Sequence, residues 1–80
     1  MRVGEKLTFA SGEFYVLDFT PIGDEGAFVA LLFAPGKDVT PFVVARFNEG
    51  DREWWQGSHA MTHEGAYRCY RERLVRESLA

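Results

Sequence analysis

The chain has almost nothing with which to cross-link itself. Cys69 is the only cysteine in 80 residues. One thiol cannot bridge within a chain, so stability here does not depend on an oxidising compartment. A basic surplus is missing too. Nine Lys and Arg face twelve Asp and Glu, giving a net charge of −3 and a pI near 5.3. That balance counts against a dedicated nucleic-acid binder, which is usually basic. Long apolar runs are absent: the longest near-apolar stretch, Ala27–Pro35, is far too short to cross a bilayer as a helix. Met1–Lys6 lacks the apolar region of a signal peptide, so a soluble cytoplasmic protein is expected. No glycine-rich phosphate loop, GxSxG elbow or CxxC pair occurs, and no catalytic signature is visible.

What is present is apolar and aromatic. Hydrophobic residues make up 46% of the chain and aromatics 15%. Large rings bury much area each, so one core is feasible without disulfides or metal. The charge is uneven. Residues 1–40 carry three basic and six acidic side chains, and residues 41–80 carry six of each. No repeat, low-complexity segment or boundary divides the chain, so residues 1–80 are expected to form a single domain.

The organising stretch is Pro41–Arg73, read as strand, tight turn, tryptophan pair and helix. Ahead of it, residues 5–9 alternate with Leu7 and Phe9 on one side, as a short edge strand or a loose arm. Glu13–Thr20 alternates well: Tyr15, Leu17 and Phe19 face one way, and Phe14, Val16 and Asp18 the other. Ala27–Ala34 is unbroken and apolar, which suits the middle of a sheet. Pro35-Gly36 suits a type II turn. Phe42–Phe47 is the third strand, with Phe42, Val44 and Arg46 on one face and Val43, Ala45 and Phe47 on the other. Gly50 is the expected left-handed residue of the Asn48–Asp51 turn. Arg52–Gln56 reads as a short fourth strand, whose adjacent Trp54 and Trp55 must point to opposite faces. Thr62 is the expected N-cap of a helix running to the chain end, with Ala66, Tyr70 and Leu74 as its apolar stripe. The expected fold class is therefore α+β: an antiparallel sheet of three to four strands, with one C-terminal helix packed on one face.

Four constellations bear on chemistry. His59, His63 and Cys69 are the residue types of a zinc site, but His59 precedes the helix and the Glu follows the second His, so solvated histidines and no metal are expected. Cys69 beside the buried stripe reads as a small hydrophobe rather than a nucleophile. The acids Asp24, Glu25, Glu49, Asp51 and Glu53 sit mainly in turns. Trp54 and Trp55 with Arg46 and Arg52 are types enriched at interfaces. One tryptophan is expected in the core and the other at an interface.

The segment Phe42–Arg73, with its strand, Asn48 turn, Trp54, Gly57 and then Ala66, Tyr70 and Arg73, resembles small uncharacterised bacterial and phage proteins of β-β-β-α architecture. That resemblance implies a fold and no activity. A second likeness, to the three-stranded arm domains of phage-type integrases, implies DNA reading by a basic sheet face; the strands here carry few basic residues. One helix is expected to leave part of a four-stranded sheet uncovered, with Phe14, Val16 and part of the Ala27–Ala34 run on the open face. The expectation is thus a non-catalytic protein-binding or self-associating module, without cofactors. Its partner is a second copy or another protein, through Phe14, Val16, Trp54, Trp55, Arg46 and Arg52. The alternative is a nucleic-acid-binding sheet.

Overall fold

A computed structural model describes residues 1–23, 26–36, 39–48 and 50–79, with the side chains of 55, 56, 78 and 79 outside the description. Five strands, β1 (Lys6–Phe9), β2 (Gly12–Ile22), β3 (Ala27–Phe33), β4 (Phe42–Asn48) and β5 (Trp55–Ala60), precede one helix, α1 (His63–Leu79). They form one sheet in the order β1-β2-β3-β4-β5, antiparallel throughout. The α+β class is as expected, with five strands instead of three to four. The Leu7 segment is a true strand, paired Leu7 to Phe14 and Phe9 to Gly12. The last strand starts three residues later than Arg52. Residues 52 and 53 bend to bring the chain back toward β1, and pairing resumes only at Trp55 opposite Arg46.

The expected local signals operate. β3 is the middle strand, and Val29, Ala30, Leu31 and Leu32 are all buried because both of its faces are covered. Gly50 takes φ +86 in the turn after β4, where Asp51 N–H donates to Asn48 O at 3.0 Å. Thr62 caps α1 by accepting the Gly65 N–H at 3.1 Å on its hydroxyl.

The sheet has two cores. On the helix side Val29, Leu31 and Val44 pack against Ala66 and Tyr70. On the other side Phe9, Phe14, Val16, Ala30, Leu32, Val43, Ala45 and Phe47 form a second buried cluster that involves no helix. The sheet covers that cluster by curling over it. Adjacent strands lie about 4.8 Å apart, so a flat sheet would separate β1 from β4 by about 14 Å. Yet the Phe9 and Phe47 rings, on those two strands, sit with centroids 5.2 Å apart. Phe14 on β2 meets Trp54, just before β5, at 6.2 Å. The curl is pinned where Ala10 N–H donates to Arg52 O at 2.8 Å, and beside it Ser11 Oγ bonds Glu53 at 2.9 Å. The result is a half-closed barrel.

This corrects the sequence reading at two places. Phe14 and Val16 are fully buried, not open sheet surface. The coverage expected of a partner on that face comes from the sheet itself. Strict alternation along β2 also fails, because a bulge lies between Val16 and Asp18. A bulge adds one residue and resets which side follows. Phe19 thereby joins the inner cluster with Phe14 and Val16, while Thr20 and Ile22 turn to the helix.

Candidate functional site

With most of the inner face covered by the curl, a stretch of apolar surface remains on the helix side. The path of α1 decides where. It begins beside Phe42, whose ring meets His63 at 5.8 Å. It ends over β2 and β4, where Tyr70 Oη and Thr20 Oγ1 lie 2.8 Å apart, Leu74 packs near Ile22, and Glu77 pairs with Arg46 at 3.1 Å. The corner of the sheet held by Tyr15 and Phe33 lies off this path. Tyr15 is opposite Phe33, and Phe33 opposite Phe42, in the strand register.

Phe33, Phe42, His63 and Tyr67 make a continuous aromatic strip, with Tyr15 across from Phe33 in the register. Phe33 and Phe42 have ring centroids 5.5 Å apart. From Phe42 the contact passes to His63, and from His63 to Tyr67, stacked at 6.2 Å with the planes 16° apart. The Arg71 guanidinium lies 6.0 Å from the Tyr67 ring centre, at the outer limit of a cation–π contact. His63, Tyr67 and Arg71 follow at four-residue spacing, so one helix face carries all three. Tyr15 and Tyr67 remain 38% and 40% exposed, which leaves both rims of the strip open to a partner. Sequence reading passed over this strip because its members come from β2, β3, β4 and α1. The one signal available was the His63, Tyr67, Arg71 spacing.

The expected site residues divide differently. Phe14 and Val16 present no surface. Trp54 packs on the inner cluster against Phe14 and His59, so this tryptophan faces inward; the side chain of Trp55 lies outside the described residues. A Cβ on Gly57 would clash with the benzenoid edge of the Trp54 indole, so Trp54 packs against bare backbone there. Arg46 bonds Glu77 on the helix with both of its carboxylate oxygens. Arg52 is exposed in the turn that closes on Ala10. The two basic side chains borne by strands, Lys6 and Arg46, each pair with a carboxylate, so the sheet offers no unpaired basic row.

His59 meets Trp54 on the inner side, whereas His63 meets Phe42 on the helix side. Cys69 is half-buried against the helix-side core. The zinc-type trio is thus not brought together, and no cluster of three metal-binding side chains occurs among the described residues. Tyr70 has a displaced ionisation. Burial pushes its phenol above the ordinary value of 10.0; the hydrogen bond with Thr20 pulls the other way, and the nearby Asp18 adds to the rise.

No family model, curated protein or solved structure matches the chain. No helix among the described residues is long and apolar enough to cross a membrane.

Proposed function

We propose that this protein is a small non-catalytic module that binds protein through the Tyr15–Phe33–Phe42–His63–Tyr67 strip, its first partner being a second copy of itself. The observation that carries this reading is the strip's half-exposure: the Phe33, Phe42, His63 and Tyr67 rings are in contact, Tyr15 stands opposite Phe33 in the register, Tyr15 and Tyr67 are exposed, and Arg71 lies at one end. Tyrosine and arginine dominate binding energy where they can be fully desolvated. A strip that runs from sheet to helix is also rigid, so little ordering is lost on association. The separated histidines and the half-buried thiol support a non-catalytic role. The test is mass by light scattering from micromolar to millimolar concentration. Wild type should approach twice the chain mass, and Tyr15→Glu with Tyr67→Glu should stay at one. A single-chain mass for wild type at millimolar concentration overturns self-association.

Arg71 over Tyr67, with exposed Arg68 and Arg76 on the same helix, favours a second reading: single-stranded nucleic acid stacked on the strip. That reading requires salt-sensitive affinity for an oligonucleotide. A flat titration at low salt rejects it.

A further inference from the structure

The inner cluster reaches solvent at the seam where the barrel stays open. Between β1 and the turn after β4 lies a cavity of about 310 Å³, lined by Glu5, Leu7, Thr8, Phe9, Phe47 and Asp51 among others. That is the lower end of the range for ligand pockets. Leu7, Phe9 and Phe47 belong to the inner core, so the floor is apolar. Glu5 and Asp51 contribute two carboxylates. Glu5 Oε1 accepts the Arg2 N–H at 3.1 Å, and Asp51 Oδ2 accepts the Asn48 N–H at 2.8 Å. A carboxylate has about four acceptor positions, so both keep capacity for a further donor. Neither makes an ion pair among the described residues.

The backbone adds a second, independent feature. Among the described residues, β1 pairs with β2 on one edge. Ala10 N–H points off its other edge, to Arg52 O. In an antiparallel strand alternate residues direct their peptide groups to the same edge. Thr8 therefore turns its N–H and C=O toward the gap, and it lines the cavity. The seam thus combines a strand edge, an apolar floor and two anionic groups.

We propose that this seam binds an extended segment of a partner protein that inserts an arginine or lysine side chain. The segment pairs its backbone with Thr8. The basic side chain lays its stem against Leu7 and Phe47 and brings its charged end to Glu5 and Asp51. Long basic side chains have this division of apolar stem and charged head, and strand addition is an established way of holding peptides. The chain's net charge of −3 favours a basic partner over an acidic one. The seam belongs to the inner core and the aromatic strip to the helix side, so either can fail without the other.

The test is an amide NMR titration of the full chain with acetyl-Thr-Val-Arg-Val-Thr-amide, and with the same peptide carrying Glu in place of Arg. Saturable shifts are expected at Thr8, Phe9, Gly50 and Asp51 for the Arg peptide. Affinity should fall about tenfold or more for the Glu peptide, and likewise for the Arg peptide on the Glu5→Gln, Asp51→Asn double variant. Those substitutions keep an acceptor for both backbone bonds, and the peptide comparison holds on wild type alone. Equal affinity for the two peptides, shifts confined to the Tyr15–Tyr67 strip, or no saturation by millimolar peptide overturns the proposal.

Discussion

The two sides of this sheet are buried by different means. The helix side is covered by a separate element, and its boundary is tied by polar contacts: Thr20 with Tyr70, Ser58 with Arg73, and Glu77 with Arg46. The inner side is covered by the sheet's own curl, and its contacts are mainly ring against ring: Phe9 on Phe14, Phe9 on Phe47, and Phe14 on Trp54. A helix is a rod that covers a stripe, so it leaves a corner of its side open at Tyr15 and Phe33. A curled sheet covers what lies inside it and leaves a seam open beside β1. The two candidate interaction surfaces are the places where these two modes of coverage stop.

If the inner cluster is the main source of stability, damage there should exceed damage on the helix side. Phe14→Ala should cost about 3–5 kcal/mol, the range for emptying a large buried ring site, as read by urea unfolding. A cost near that of a surface residue would break the comparison. Gly57→Ala comes next. The new methyl must push the Trp54 indole out of place, at about 1–3 kcal/mol for overpacking, and tryptophan fluorescence should shift with the loss. Tyr70→Phe tests the polar boundary of the helix side. It should cost about 1 kcal/mol at neutral pH for the lost Thr20 bond.

Tyr70 also carries a pH signature. Its folded ionisation lies above the unfolded value of 10.0. The unfolded chain therefore loses this proton first as pH climbs, and stability falls from about pH 10 upward until the folded phenol ionises as well. Unfolding measured on either side of pH 10 should show this loss in wild type, and less of it in Tyr70→Phe. The smallest effect is expected for Glu77→Gln, about 1 kcal/mol or less, because a partly exposed ion pair is screened by solvent. Its cost should shrink with added salt, whereas that of Phe14→Ala should not.

Much of the architecture was legible because its signals are local. The unbroken run of β3 marks a strand covered on both faces. Gly50 and the Pro35-Gly36 pair mark turns, though Gly36 does not take the positive φ of the expected type II turn, and Thr62 with the Ala66–Tyr70–Leu74 spacing marks a capped helix and its buried face. The bulge in β2 was not legible, since Glu13–Thr20 alternates without interruption in sequence and only pairing with β3 resets its sides. Nor was the role of the tryptophans. Trp54 is assigned inward by its contact with Phe14, forty residues away.

The sequence by itself determined the three long strands and the helix, and that the chain is too apolar for one helix to cover; it left the Leu7 segment open and misplaced the last strand. The tertiary structure alone decided how the excess is hidden, because curl depends on bulges and on the Ala10–Arg52 closure, which are contacts between segments far apart in the chain. It also decided where surface remains. Exposure belongs to the fit between elements, and a residue's own type or spacing carries no record of what will lie over it.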